Sequence, residues 1–495
     1  MAESWVNSAQ RIGADLHLEL SAAGSRRAAL GQALREAVQD GRLAPGTRLP
    51  PYRSLAADLG LARNTVAEAY AELVAEGWLT ARQGSGTRVA PRAVRQKSSP
   101  PTSAAAPMAP AAPVHDLRQG RPDAASFPRA AWLAAARRSL NTAPNEAFGP
   151  GDPQGRIELR RALADYLARA RGVRTAPERI VVCSGVAHAL RLLFGGGVLR
   201  GPLAVEAYGL PFHRSVLAAA AVRTVPLEVD ELGARVAESA GVRNVLLTPT
   251  HQFPTGVPLH RERRAAVVDR ARARDGLIVE DDYDGEFRYD REPVGAVQGL
   301  DPERVVYLGS VSKSLSPAVR LGWMVLPEHL VPAVLAVKGE REAWASVLDQ
   351  LTLAEFIASG HYDRHVRRMR QHYRRRRDRL VAALAEHAPQ IAPIGIAAGL
   401  HAVLRLPPGT EPGTLEAAAR QGLALDGLAA FRHPDAAPLA ADGLVVGYAA
   451  APEHGYGAAL EALCRVLLEP QEASGGSTSA SPEKVKAASP PPSSA

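Results

Sequence analysis

At 495 residues the chain is longer than one ordinary domain, and a hydrophobic content of 46% is enough to build two or three cores. Two cysteines, Cys183 and Cys464, argue against a disulfide framework and fit a reducing cytoplasm, and no apolar run reaches the ~18 residues of a membrane span. The N-terminus lacks the charged start and apolar stretch of a signal peptide, and a net charge of +8 permits a nucleic-acid partner without establishing one.

The first elements are helical. RRAALGQALREAVQDG sets Leu30, Leu34 and Val38 at helical spacing and stops at Gly41, and RSLAADLG predicts a short second helix ending at Gly60. In NTVAEAYAELVAEG, Val66, Ala69, Tyr70, Leu73 and Val74 line one face, and Gly77 ends the helix. WLTARQGSGTRV then reads as two short strands around a glycine-rich turn. Three helices and a hairpin, with the tight LGLAR link between the second and third helix, predict a winged helix-turn-helix; a helical oligomerisation domain is the alternative. In such a module the helix after the tight link enters the major groove, so Arg63, Asn64 and Thr65 are candidates for bases or backbone. Arg53 opens the preceding helix beside phosphate, and Gly84 and Gly86 let the wing approach the minor groove. Residues 1–90 hold ten arginines against nine acids, so DNA affinity there must come from placement.

Residues 91–114 are proline, alanine and serine without periodicity and are expected to be a flexible linker; residues 471–495 have the same character and are expected to be a disordered tail. Between them, residues 115–470 form the large domain. RIVVC, PLAVE, RTVPLEV, RNVLLT, GLIVE, RVVYLG and GWMVLP read as strands, and their near-continuous hydrophobicity predicts an α/β fold whose mainly parallel sheet is buried on both faces. Ligands gather beyond the carboxyl ends of such strands. Ser184, Gly185, Val186 and Ala187 follow the first strand at a helix start, where backbone amides suit a phosphate. Glu280, Asp281, Asp282 and Tyr283 follow GLIVE, and Ser310, Lys313 and Arg320 follow RVVYLG.

Only five of the 59 basic residues are lysine: Lys97, Lys313, Lys338, Lys484 and Lys486. Where arginine is the default cation, a lysine between serines points to an amine that must lose its proton and attack a carbonyl. A phosphate cradle, a carboxylate, a phenol, an amine and a second phosphate clamp make the set that pyridoxal 5′-phosphate requires. Taken singly, the parts also read as a solvated acidic turn, a metal site or a surface lysine. Further on, RHVRRMRQHYRRRRDRL holds nine arginines between Arg364 and Arg379: a solvated helix closing the large domain, or a second basic surface for DNA.

GRLAPGTRLPPYRSLAADLGLARNTVAEAYAELVAEGWLTARQGSGTRVA resembles the DNA-binding domain of the GntR superfamily, which implies DNA contacts at Arg53, Arg63, Asn64, Thr65 and Gly84. Ala62 and Ala67 depart from that pattern, so no operator sequence is carried over. DLRQGRPDAASFPRAAW, PGDPQGRIELRRALADYL, TPTHQFPTGVPL and VEDDYDGEFRYD resemble the fold-type I aminotransferases, and the whole chain resembles the MocR/PdxR subfamily of GntR regulators. The resemblance implies that Lys313 is the Schiff-base lysine, Asp281 pairs with the pyridine nitrogen, and Tyr283 donates to the ring hydroxyl. It implies that Ser310, Arg320 and the amides at Gly185, Val186 and Ala187 hold the phosphate. Asp281 is preferred to Asp282 because the subfamily places acid and tyrosine two apart. Phe253 stands where aminotransferases have an asparagine, Leu210 where the regulators have a ring-stacking tyrosine, and Val445 or Val446 where many members have a carboxylate-binding arginine. Tyr208 and Phe212 are the alternative stacking residues.

The expectation is a cytoplasmic, homodimeric transcription regulator that binds double-stranded operator DNA. Its aminotransferase-like domain senses pyridoxal phosphate, an amine or an amino acid, with weak or partial transaminase chemistry at most. The alternative is a working aminotransferase with an appended DNA-binding module.

Overall fold

The computed structural model describes residues 25–82, 86–91, 113–238, 241–289, 294–339 and 345–468. Gly84, the expected tail and all but the ends of the expected linker lie outside them. The chain divides into two units, Met1–Ala111 and Ala112–Ala495.

In the first unit, α1 (Arg26–Gln39), α2 (Tyr52–Asp58) and α3 (Arg63–Ala75) precede β1 (Leu79–Arg82) and β2 (Gly86–Val89). Ser25 caps α1 by accepting from the Ala28 amide, which satisfies one of the otherwise unpaired N–H groups of the first turn. Leu30, Leu34, Val38, Leu55, Val66, Tyr70 and Leu73 meet in one core, with Leu79 and Val89 of the antiparallel hairpin closing it. The helical spacing and the two-strand wing are as expected, and α2 ends at Asp58, two residues before Gly60.

In the second unit seven strands form the main sheet: β3 (Ile180–Cys183), β4 (Leu203–Glu206), β5 (Thr224–Leu227), β6 (Asn244–Leu247), β7 (Ile278–Asp281), β8 (Val305–Ser310) and β9 (Gly322–Val325). Their order is β3-β9-β8-β7-β6-β4-β5. The run RTVPLEV makes β5 and then a separate two-residue strand, Val229–Asp230. Alternate residues serve opposite faces: Ile180 and Val182 join one core while Val181 and Cys183 join the other. Both faces are covered, which is why these strands read as continuous apolar runs.

β9 alone is antiparallel to its neighbours, β8 and β3. It therefore begins at the edge where β3, β7 and β8 end, and Gly322 pairs with both Ser310 and Cys183 there. The residues just before Gly322 and just after Cys183 are brought to one edge by this reversal.

Helices α4 (Arg129–Thr142), α5 (Ile157–Arg171), α6 (Val186–Leu190), α7 (Pro211–Ala219), α8 (Arg261–Ala273), α9 (Val331–Lys338) and α10 (Val347–Ala358) surround the sheet. Lys338 is buried at the end of α9, where its Nζ donates to the carbonyls of Pro153 and Val182. A smaller lobe follows, with α11 (His361–His387), α12 (Glu411–Arg420), α13 (Glu453–Leu468) and a second, four-stranded sheet around Asp442–Gly447. α11 is the arginine-rich helix. Tyr362, Val366, Met369, Tyr373, Leu380 and Leu384 recur on its buried face, whereas most of its arginines are solvated. Arg376 is the exception, buried and bonded to the carbonyls of Tyr448 and Ala449 and to Glu453. Among the described residues, no helix is long and apolar enough to cross a membrane.

Candidate cofactor site and DNA-reading helix

A cavity of about 220 Å³ opens at the carboxyl edge of the main sheet, lined by Gly185, Val186, Ala187, Asp281, Tyr283, Ser310, Lys313 and Arg320. All eight residues singled out from the sequence for pyridoxal phosphate thus border one space. The remaining lining comes from Gln119, Gly120, Ser184, Leu210, Phe212, His213, Phe253, Ser312, Leu400 and His401.

Asp281 ends β7, is 3% exposed, and its Oδ1 has no hydrogen-bond partner among the described residues. Burial first, and then the neighbouring Asp282, push its carboxyl up to about 8. Such a group awaits a donor or a cation, and a protonated pyridine nitrogen supplies both. Asp282 points elsewhere. Its oxygens accept from Arg171 Nε at 2.6 Å, Arg171 Nη2 at 3.0 Å and the Tyr307 hydroxyl at 2.8 Å, so its hydrogen bonding is already committed.

Lys313 follows β8, and its ammonium donates to the Gly120 carbonyl. Burial lowers its pKa, with Asp284 and Asp281 opposing, which favours the unprotonated amine more than at a surface lysine. Gly120 has φ +87°, and a Cβ there would stand 3.2 Å from Nζ, so the bare backbone is what lets the lysine lie against it.

The end of the cavity beside Gly185 is built by close backbone approach. Gly185 caps α6, whose first amides have no acceptor within the helix. A Cβ on Gly322 would fall 2.7 Å from the Gly185 Cα, so only glycine lets β9 pass beneath this turn. Arg320 is exposed at the cavity and sits in the left-handed region at φ +56°. Holding a non-glycine residue there costs about 1–3 kcal/mol, and such strain clusters at ligand clamps.

The two alternatives for ring stacking differ in placement. Tyr208 is buried, and its hydroxyl accepts from the Leu439 amide; Phe212 lines the cavity but is 55% exposed. Leu210 lines the cavity, and His213, which no sequence motif marked, stands with Nδ1 3.9 Å from Asp281 Oδ2. Burial pulls His213 down to about 4, so the ring is neutral. Val445, one of the two positions at which an arginine is replaced, is fully buried in an apolar cluster with Phe253, Val403, Leu428 and Phe431. Gln119, Gly120, Leu400 and His401 were also missed as lining residues. Left-handed glycines mark both places, Gly120 itself and Gly399 just before Leu400, and sequence does not display that conformation.

In the first unit, Arg63, Asn64 and Thr65 form the first turn of α3, with Arg63 and Asn64 exposed and Thr65 half-buried. Arg53 is exposed in the first turn of α2, its guanidinium 5.8 Å from the Tyr52 ring.

Residues 26–89 match the family of bacterial regulatory proteins named gntR, and residues 113–432 match aminotransferase class I and II. A probable rhizopine catabolism regulatory protein, MocR, of Rhizobium meliloti is 35% identical over 378 residues, covering 72% of this chain and 77% of that protein. The pyridoxine biosynthesis transcriptional regulator PdxR of Corynebacterium glutamicum is 34% identical over 381 residues, covering 76% and 82%. The chain belongs to the MocR-type GntR regulators. Among solved structures, the multiple substrate aminotransferase of Thermococcus profundus superposes with a TM-score of 0.65 at 25% identity, covering 72% of this chain and 91% of that one. The regulator thus joins a DNA-binding helix-turn-helix unit to a unit with the fold-type I aminotransferase fold, which binds pyridoxal phosphate.

Proposed function

We propose that this regulator holds pyridoxal phosphate at Lys313 and controls transcription according to what occupies that site: the cofactor itself, an amine or an amino acid. The observation that supports it best is the buried, unpartnered Oδ1 of Asp281 facing the same cavity as Lys313 and Arg320. When bound, pyridoxal phosphate supplies an aldehyde that condenses with amines and a ring that withdraws electrons. The chain's own contributions are specific. Lys313 offers an amine, Asp281 accepts from the ring nitrogen, and Tyr283 donates to the ring oxygen. Arg320, Ser310 and the amides of Gly185, Val186 and Ala187 take the phosphate. Arg63, Asn64, Thr65, Arg53 and Gly84 contact operator DNA.

The apolar surroundings of Val445 favour sensing over turnover, because an α-carboxylate there would be buried without a charged partner. We further take the protein to be a cytoplasmic homodimer, with residues 91–114 as its linker. Leu133, Phe148 and Leu348 are exposed apolar side chains on or near α4 and α10, and Phe212 is exposed at the cavity mouth, which suits a covering second copy.

Borohydride reduction followed by peptide mass analysis tests the first claim. A pyridoxyl adduct on the Lys313 peptide is expected, and Lys313→Arg should lack it while still binding operator DNA. An adduct mapped to any other residue defeats the assignment. Light scattering tests the second, with a monomer at micromolar concentration as the contrary result.

A further inference from the structure

His401 lines the cofactor cavity and has no part in the roles assigned above. It is 4% exposed, and its Nε2 lies 3.0 Å from the Pro254 carbonyl oxygen. A carbonyl oxygen only accepts, so the ring nitrogen facing it carries a hydrogen. Burial first, and then His251, pull the imidazole down to about 3, so the ring is neutral and holds that one hydrogen. Nδ1 is therefore a bare acceptor, and among the described residues it has no hydrogen-bond partner.

The ring is held in the cavity wall. Phe253 packs edge-on against it with centroids 5.2 Å apart, and the His251 ring lies at 5.3 Å. His401 opens the strand His401–Leu406 and pairs with Gly447, where a Cβ would fall 2.8 Å from the Gln119 Cα. That close approach sets Gln119 and Gly120 beside His401 in the lining, and the Gly120 carbonyl in turn receives Lys313. Gln119, Gly120, Phe253, Leu400 and the neutral His401 give this wall no charge. Arg118 and Arg121, which bracket Gln119 and Gly120 in the chain, both turn to Asp116, at 2.7 Å and 3.1 Å. Lys313, Arg320 and Asp281 are taken by the cofactor in the reading given above.

We propose that His401 selects the effector: its Nδ1 accepts a hydrogen bond from a neutral donor carried by a primary amine, which makes the ligand an amino alcohol or amino amide rather than an amino acid. A carboxylate at that wall would set its oxygen lone pairs against a nitrogen lone pair, with no cation there to offset the burial of its charge. The proposal rests on the pyridoxal-phosphate reading given above, since the effector's amino group is the end that approaches Lys313.

Titration of the full-length, cofactor-loaded protein with L-alaninol, (S)-sec-butylamine and L-alanine, followed by the cofactor's absorbance, provides the test. The first two differ only in a hydroxyl where the other has a methyl. The preference for L-alaninol over (S)-sec-butylamine should fall about 2- to 10-fold in His401→Phe, the size of one neutral hydrogen bond. Comparing the two proteins cancels the amines' own basicities. L-alanine should be the weakest of the three in wild type. An equal preference in both proteins, or L-alanine as the tightest ligand of wild type, would overturn the idea. Should His401→Phe fold poorly, nitrogen-15 chemical shifts of histidine-labelled, cofactor-free wild type decide independently, with the His401 signal assigned by its loss in His401→Gln. A hydrogen on Nε2 alone is expected, and a hydrogen on Nδ1 refutes the arrangement. A wild-type protein that takes up no pyridoxal phosphate would instead remove the parent reading, with the tautomer still measurable.

Discussion

Asp281→Asn should make the cofactor-free protein more stable while making it bind pyridoxal phosphate less well. The Asp281 carboxyl sits at about 8 in the folded protein, against an ordinary 3.8, because burial and then Asp282 disfavour its charge. In the unfolded chain it ionises near the ordinary value. Between about pH 4 and pH 8 the folded state therefore binds the extra proton, and stability falls as pH rises through that window. At about 1.4 kcal/mol per unit, the roughly three units between the ordinary value and pH 7 set an upper bound of about 4 kcal/mol. Asparagine has nearly the same shape and no charge to suppress. The variant should match wild type near pH 4 and lead it by a gap that widens up to pH 8. Glu206, Glu280 and Glu286 are also pushed up to about 7, by burial first, and titrate in both proteins, so the difference between the two reports Asp281 together with its repulsion by Glu206. Urea unfolding of cofactor-free protein at half-unit steps from pH 5 to pH 8 reads the gap. Affinity should move the other way, by about 1.5–3 kcal/mol, since a charge-assisted bond to the ring nitrogen becomes a neutral one at best. A gap that stays constant with pH, or a wild type that is the more stable at pH 8, would refute a buried neutral carboxyl at this position.

Other changes separate the two units. Arg63→Ala should weaken operator binding by about 1–3 kcal/mol if the guanidinium reads a base, with cofactor uptake unchanged; an anisotropy titration showing equal affinity would remove Arg63 from the interface. Gly322→Ala must push β9 away from Gly185, at a cost of about 1–3 kcal/mol, and should loosen the phosphate end. Its melting temperature and pyridoxal phosphate affinity should fall together, and unchanged values for both would mean the turn yields freely.

Much of the site was legible because each of its parts follows a strand, and strands buried on both faces announce themselves by composition. The lysine was legible for a different reason: arginine fills most other cationic positions. What sequence left open was the choice between Asp281 and Asp282. Adjacent residues at a strand's end point to opposite sides, and it is a partner 111 residues away, Arg171, that takes Asp282 while Asp281 lines the cavity. The reversed direction of β9 was equally hidden, since GWMVLP reads the same whichever way it runs. The position of Tyr208 was likewise hidden from sequence: its hydroxyl accepts from the amide of Leu439, 231 residues away. His213 escaped notice because a lone histidine near the start of a helix carries no pattern.

The scarcity of lysine has a consequence for how this molecule meets a reactive aldehyde. Carbonyl compounds modify exposed amines indiscriminately, whereas guanidinium groups condense poorly under the same conditions. Among the described residues there are two lysines, Lys313 and Lys338. The second is buried against two carbonyls, so an incoming aldehyde does not meet it at the surface. A surface written in arginine thus serves as chemical insulation: the described part of the chain exposes its one reactive amine only inside the cavity. Mild amine labelling followed by peptide mapping should distinguish occupied from empty protein at the Lys313 peptide, whatever Lys97, Lys484 and Lys486 take up.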